Sequence, residues 1–365
     1  MEKLRVGVLG ATGMVGQKYI SLLENHPWFN VTYVAASPRS AGKKYSDAVL
    51  GKWQMNSPIP KNIENLIVED ANLVKSAIGK VDFVFSALEL DKEEIKKLEN
   101  EYAASDIIVV SNCSAHRHTD DVPMIIPEIN SSHLDLIKIQ QKNHNWKKGF
   151  VIVKPNCSLQ SYLAPMYALE QKGYKIKRAI ISTMQAVSGA GYPGVASLDM
   201  VDNVVPYIGG EEEKSEIEPQ KILGSIVNGK IEYDKSIAIS AHCNRVPVTD
   251  GHTACVSLEF DKNVVKEVPS KEEIIKIWKD FVSVPQELDL PFAPKNPIIY
   301  IHEENRPQPK KDRDIDKAMS VSVGRLRDCK VFDIRFVGLS HNTVRGAAGG
   351  GILNAELLYK KRFLK

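Results

Sequence analysis

The chain has 365 residues, 43% hydrophobic, 25% charged and only 7% aromatic, a globular profile too long for one compact module, so two domains are expected. Lys plus Arg (48) nearly cancels Asp plus Glu (45), and the net +3 gives no broad field for a polyphosphate backbone, which excludes a dedicated nucleic-acid binder. Five cysteines (Cys113, Cys157, Cys243, Cys255, Cys329) without a CxxC pair, and no apolar stretch of bilayer-spanning length, point to a cytoplasmic protein with no disulfide framework, structural zinc or membrane segment.

In chain order, the first 155 residues alternate short Val/Ile-rich runs with amphipathic stretches. Strands are expected at Arg5 to Leu9, Val31 to Ala35, Leu66 to Val68, Val81 to Ser86 and Ile107 to Val110, with helices at Val15 to Glu24 and Lys92 to Tyr102. That rhythm predicts a Rossmann-type doubly wound parallel α/β sheet. A further apolar run, Phe150 to Val153, leads into a helix expected from Cys157 to Gln171. Long β-type runs follow at Lys177 to Ala186, Ser236 to Val248, Thr253 to Phe260 and Met319 to Val337, with helices at Gly194 to Val204, Glu211 to Leu223 and Lys271 to Val282. Such segregation predicts an α+β second domain. The proline-rich stretch from Pro285 to Asp316 reads as an extended excursion or subunit arm, most simply a solvated loop. Gly346 to Gly351 reads as a small-residue turn merging into a closing helix, Ile352 to Tyr359. The expected division is 1–155 for nucleotide binding, completed by 342–365, and 156–341 for catalysis, substrate and dimerisation.

Gly10-Ala11-Thr12-Gly13-Met14-Val15-Gly16 lies between the first strand and the first helix, the context in which spaced glycines let a backbone approach a pyrophosphate at a helix start. The second strand ends Ala35-Ala36-Ser37-Pro38-Arg39-Ser40 with no carboxylate for a ribose 2′-hydroxyl. Two hydroxyls and an arginine suit a 2′-phosphate, so NADP is expected over NAD. Cys157, in Lys154-Pro155-Asn156-Cys157-Ser158-Leu159-Gln160, sits where a helix start would favour a thiolate. Downstream, Arg245 and His252 flank a turn between two strands, one suited to bidentate capture of a carboxylate and the other to proton transfer. Gln185 ends another apolar strand before a glycine loop. His116-Arg117-His118 and His302-Glu303-Glu304 lack the spacing of a metal site, and no metal is expected.

Together the segments GVLGATGMVG, ASPRSAGKKY, VVSNCSAHR, KPNCSLQSYLAP, TMQAVSGAGYPG, GGEEEK, HCNRVPVTDGHTACVS and HNTVRGAAGGGILNAELL resemble the aspartate-semialdehyde dehydrogenase family, in its archaeal and fungal branch, over essentially the whole chain. The resemblance implies Cys157 as nucleophile, His252 as acid/base and Gln185 as the residue that orients the bound intermediate. It implies Arg245 for the substrate α-carboxylate, and Glu211 for the amino group, with a register open by a residue within Glu211-Glu212-Glu213. Arg117, Asn156 and Lys214 would recognise phosphate. The cofactor set implied is Gly10, Thr12, Gly13, Met14, Val15, Gly16, Ser37, Arg39, Ser40, Ser86, Ser188, Gly189 and Asn342. Cys113 stands where the motif often has alanine, a departure expected to be harmless, though a thiol near the phosphate site could add redox sensitivity.

The reaction implied is the NADPH-dependent reductive dephosphorylation of L-4-aspartyl phosphate to L-aspartate 4-semialdehyde through a cysteine thioester, in lysine, threonine, methionine and isoleucine biosynthesis. Backbone N–H groups at the helix start would hold the oxyanion, and in reverse His252 would take the thiohemiacetal proton while inorganic phosphate resolves the thioester. Expected partners are these small molecules and further copies of the chain, as a homodimer or homotetramer. Alternatives within the superfamily are malonyl-CoA reductase and N-acetyl-glutamyl-phosphate reductase; outside it, a catalytically silent NADP-binding regulator.

Overall fold

The computed structural model describes residues 2–364. Six parallel strands form the first sheet: β1 (Leu4–Leu9), β2 (Phe29–Ala36), β3 (Val68–Asp70), β4 (Phe83–Ser86), β5 (Ile108–Ser111) and β6 (Val151–Val153). Their order, β3-β2-β1-β4-β5-β6, reverses direction between β1 and β4, and a crevice opens there at the strand ends. All four residues of β4 and of β5 are buried, as a sheet covered on both faces requires. Helix Met14–Leu23 packs beside β1 and β2, and helix Lys92–Ala104, capped by Asp91 in a reciprocal capping box with Glu94, packs beside β5. Helix Leu136–His144, absent from the sequence reading, precedes β6.

The second sheet is mixed. It contains β7 (Ile176–Gln185), β10 (Ala238–Arg245), β11 (His252–Phe260), β12 (Ile298–Ile301), β13 (Val321–Asp328) and β14 (Ile334–Ser340) in the order β10-β7-β11-β14-β13-β12. β8 (Ser225–Val227) and β9 (Lys230–Glu232) form a separate hairpin. Helices Leu163–Glu170 and Lys271–Lys279 cover one face, tied by Trp278 Nε1 donating to the Pro165 carbonyl at 2.9 Å. The closing helix, Gly349–Lys360, returns to the first sheet, where Ile352, Leu353, Leu357 and Leu358 share a core with Val6, Val8, Phe85 and Val110.

Five expected elements differ. Cys157 to Gln171 breaks at Tyr162 into a 3₁₀ turn, Ser158–Ser161, and the helix Leu163–Glu170. Asn156 Oδ1 accepts from both the N–H and the hydroxyl of Ser158, Ser161 Oγ donates to the Ser158 carbonyl, and Pro165 has no N–H to continue the ladder backwards. Of Gly194 to Val204 only one turn, Ser197–Met200, is helical, and Asp202 stands at φ 57°. The run Met319 to Val337 is two strands, β13 and β14. The excursion from Pro285 is not merely solvated loop, because it contributes β12, parallel to β13 at the sheet edge. Gly349 to Gly351 belong to the closing helix rather than to a turn, and a Cβ on Gly351 would fall 1.8 Å from the Tyr19 hydroxyl.

Candidate active site

At the crevice between β1 and β4 lies a cavity of about 740 Å³ lined by Gly10, Thr12, Gly13, Met14, Ser37, Arg39 and Ser40. Gly10 has φ +75°, and a Cβ there would sit 2.2 Å from the Ala87 carbonyl oxygen, so the turn tolerates no other residue. With Gly13 opening the helix behind it, this cradle fits a dinucleotide pyrophosphate. Lys43 and Lys52 join Arg39 on the cavity wall and add positive charge where a 2′-phosphate would sit. Sequence reasoning missed both, because lysines in a loop carry no motif. It also missed Asn72, Glu89 and Tyr192, which line the same space.

Six expected cofactor residues are off this wall, three of them in the first helix or the first sheet. Val15 and Gly16 are inside the first helix and off the wall, Gly16 pressed against the Gly10 carbonyl. Ser86 is fully buried, with Oγ 3.5 Å from Cys113 Sγ, and its successors Ala87, Leu88 and Glu89 line the cavity instead. At Cys113, burial, then Glu99, pushes the thiol up to about 12, which leaves a core sulfur.

The register of the second sheet assembles the catalytic residues. Arg245 ends β10 directly opposite Gln185, the last residue of β7, and His252 opens β11 one position beyond the Thr253–Met184 pair. Three side chains distant in sequence therefore meet at one sheet edge. Cys157 arrives there from the first sheet, four residues after β6, and its Sγ lies 3.3 Å from His252 Nε2. His252 Nδ1 accepts the Ala186 N–H at 3.0 Å, so the hydrogen-bond network assigns the remaining imidazole proton to Nε2, pointing at the sulfur. Burial, then Arg245, lowers His252 to about 3. Burial, then Glu211, pushes the Cys157 thiol up to about 11 against Lys154, Arg117 and Arg245. Both groups are thus neutral at neutral pH. A Cβ on Gly189 would stand 2.9 Å from Arg245 Nη1 and 3.2 Å from His252 Cε1, so that loop lies directly against the pair. Asn342 Nδ2 donates to Ser188 Oγ at 2.8 Å, which puts Ser188, Gly189 and Asn342 on the catalytic side of the crevice rather than on the wall of the large cavity.

Helix Glu211–Ile222 supplies the opposite side through a buried polar face. Of its three leading glutamates Glu211 faces the site. It accepts from Asn156 Nδ2 at 2.8 Å, Gln185 Nε2 at 3.2 Å and Lys214 Nζ at 2.8 Å, whereas Glu212 accepts the Cys243 N–H. Burial pushes the Glu211 carboxyl up, but Lys214, Asn156 and Gln185 outweigh it and keep the group ionised. Two turns on, Glu218, fully buried, accepts from Arg117 Nη1 at 2.9 Å and from the Asn156 N–H at 2.6 Å. Lys221 donates to the carbonyls of Arg117, Thr119 and Val122. Glu218 and Lys221 escaped the sequence reading, yet they position Arg117 and the nucleophile loop. His116 and His118 bond Thr119 and Tyr233, and among the described residues no cluster of three or more His, Cys, Asp or Glu could hold a metal.

Residues 5–137 match the family model described as semialdehyde dehydrogenase, NAD binding domain, and residues 166–345 the one described as semialdehyde dehydrogenase, dimerisation domain. The aspartate-semialdehyde dehydrogenase of Methanothermobacter thermautotrophicus is 47% identical across 97% of this chain and 99% of its own. The chain belongs to the aspartate-semialdehyde dehydrogenase family. The family protein from Schizosaccharomyces pombe is 43% identical over 98% of each chain. The crystal structure of aspartate semialdehyde dehydrogenase with NADP from Candida albicans superposes with a TM-score of 0.89 at 38% identity, over 99% of this chain and all of that one. Each bears the semialdehyde dehydrogenase name, which disfavours the malonyl-CoA reductase, acetylglutamyl-phosphate reductase and silent-regulator alternatives.

Proposed function

We propose that this protein reduces L-4-aspartyl phosphate to L-aspartate 4-semialdehyde with release of phosphate, using NADPH. The observation that carries the reading is the Cys157–His252 contact, set between a guanidinium with no carboxylate partner among the described residues, Arg245, and a buried carboxylate, Glu211. Those two charges match the carboxylate and ammonium of an α-amino acid.

The Cys157 thiol passes its proton to a phosphoryl oxygen of the substrate, the thiolate attacks the acyl carbon, the S–C bond forms, the C–O bond to phosphate breaks, and the proton leaves with the phosphate. The departing phosphate meets Lys214 and Arg117. NADPH, when bound in the crevice, supplies the hydride that reduces the thioester. The tetrahedral alkoxide then collapses, the C–S bond breaks, and the thiolate is recovered. Of the backbone N–H groups that could serve as oxyanion donor, that of Ser158 is held by Asn156 Oδ1. His252 Nε2–H takes that role, with its tautomer fixed by Ala186. In the substrate-free state His252 is therefore a donor at Nε2, and its proposed acid/base role begins once the thiohemiacetal is in place.

We further propose a cytoplasmic homodimer or homotetramer. All five cysteines are free, which suits a reducing compartment, and the dimerisation-domain match supports self-association. Among the described residues no helix is long and apolar enough to cross a membrane. The deciding experiment is phosphate-dependent reduction of NADP by L-aspartate semialdehyde, with Cys157→Ala beside the wild type. The variant should lose turnover and keep NADP binding; a variant that still turns over would remove Cys157 from the mechanism.

A further inference from the structure

The cavity that fits the cofactor carries a single acidic side chain among its described lining residues, Glu89, in the company of Arg39, Lys43, Lys52 and two serine hydroxyls. Glu89 stands three residues after the buried end of β4, across the switch point from the glycine turn that follows β1. Its side chain is exposed, and among the described residues it makes no hydrogen bond and no ion pair. An unpaired carboxylate facing a ligand that bears a pyrophosphate and a 2′-phosphate is repelled by it, unless the ligand offers hydrogen-bond donors at that point.

The position of Glu89 identifies those donors. Its Oε1 lies 3.7 Å from where a Cβ on Gly13 would stand and also 3.7 Å from where one on Gly191 would stand. Gly13 opens the helix that cradles the pyrophosphate. Gly191 belongs to the loop whose Gly189 lies against Arg245 and His252 and whose Tyr192 and Pro193 reach the cavity wall. The carboxylate therefore sits between the pyrophosphate cradle and the catalytic pair. Along the crevice the order runs from the cations at the 2′-phosphate, through the glycine turn at the pyrophosphate, to Glu89 and then to the pair. In a dinucleotide laid out in that order, the group that follows the pyrophosphate is the nicotinamide ribose. The adenosine ribose of NADP carries phosphate on its 2′-oxygen, so the nicotinamide ribose alone keeps a 2′,3′-diol. Two adjacent O–H donors match the two oxygens of one carboxylate.

We propose that Glu89 is a cofactor-binding residue that accepts the hydroxyls of the nicotinamide ribose and so holds the nicotinamide end of NADP toward the catalytic pair. It does for this half of the cofactor what an acidic residue at the end of the second strand does for the adenosine half of NAD, a residue this chain lacks.

The inference rests on the crevice holding NADP, and its test is read on binding rather than on turnover. Isothermal titration of wild type, Glu89→Ala and Glu89→Gln is run with NADP and with adenosine 2′,5′-bisphosphate, which reaches the 2′-phosphate end but has no nicotinamide ribose. Glu89→Ala should weaken NADP about 10–100-fold and leave the bisphosphate affinity unchanged; Glu89→Gln, which keeps one neutral acceptor, should fall between. The unchanged bisphosphate affinity also shows that the variants are folded. Unchanged NADP affinity in Glu89→Ala would overturn the proposal. Tighter NADP binding would do the same, because the carboxylate would then only repel the phosphates. Equal weakening of both ligands would reduce Glu89 to a structural part of the crevice and overturn it too. No binding of either ligand by the wild type would refute the cofactor crevice itself, and the proposal with it.

Discussion

Replacing Glu218 by glutamine tests whether the helix Glu211–Ile222 organises the nucleophile loop. The carboxylate is fully buried and accepts two hydrogen bonds, from the Arg117 guanidinium at 2.9 Å and from the Asn156 N–H at 2.6 Å. Glutamine keeps one acceptor and turns its NH2 toward the other donor, so one charge-assisted bond becomes a donor–donor clash and Arg117 loses its counter-charge. A charge-assisted bond contributes about 1.5–3 kcal/mol, and breaking a buried pair costs about 3–5 kcal/mol. The expected loss is about 3 kcal/mol, or roughly 6–12 °C in Tm for a domain of this size. Because Asn156 immediately precedes Cys157, a small shift of the loop should also cost about a hundredfold in kcat/KM for the phosphate-dependent oxidation of aspartate semialdehyde. Differential scanning calorimetry and that assay, run on Glu218→Gln and wild type together, decide the matter. An unchanged Tm with unchanged kcat/KM would refute the bridging role.

Arg39→Ala should weaken NADP binding about 10–100-fold, the worth of one charge-assisted contact to phosphate, and leave NAD binding unchanged; isothermal titration with both nucleotides checks this. His252 gives a stability prediction whose sign follows from its lowered pKa. The unfolded imidazole protonates near 6.5 and the folded one only near 3, so the stability it contributes is complete above pH 6.5 and is lost as pH falls toward 3. Between pH 6.5 and 5 the loss is about 2 kcal/mol, to be read as a steeper acid decline in urea unfolding for wild type than for His252→Asn.

The glycine turn, the parallel sheet and the identities of Cys157, Arg245 and His252 were legible because each is a local signal: a spacing, a run, or a polar residue at a strand end. What was not legible depends on contacts that reverse local expectation. In helix Glu211–Ile222 the apolar Ile217 is 41% exposed while Glu218 beside it is fully buried, so a reading from hydrophobic periodicity takes the functional face for a solvated one. Ser86, which the family resemblance implied as a cofactor residue, ends β4, yet its side chain faces inward to Cys113. The break at Tyr162 was hidden because Asn156 competes for backbone donors only once the loop is folded. Had the run Ser158-x-x-Ser161 before Pro165 been weighed as a competitor to helix, that boundary was within reach.

The charges around Cys157 also explain why recognition of an amino acid and activation of the nucleophile belong to one arrangement. After burial, the Glu211 carboxylate is the largest influence holding the thiol protonated, and it sits where the substrate ammonium would dock. A bound ammonium neutralises Glu211 and so removes that opposition, while Lys154 and Arg117 continue to favour the thiolate. The substrate carboxylate engages Arg245, the weakest of the three favourable cations, so little is lost on that side. A ligand without the amino group would neutralise Arg245 and leave Glu211 unopposed, which disfavours the reactive sulfur. With the proposed docking of the ammonium on Glu211 and the carboxylate on Arg245, the charges that bind an α-amino acid are the same ones that surround the Cys157 thiol.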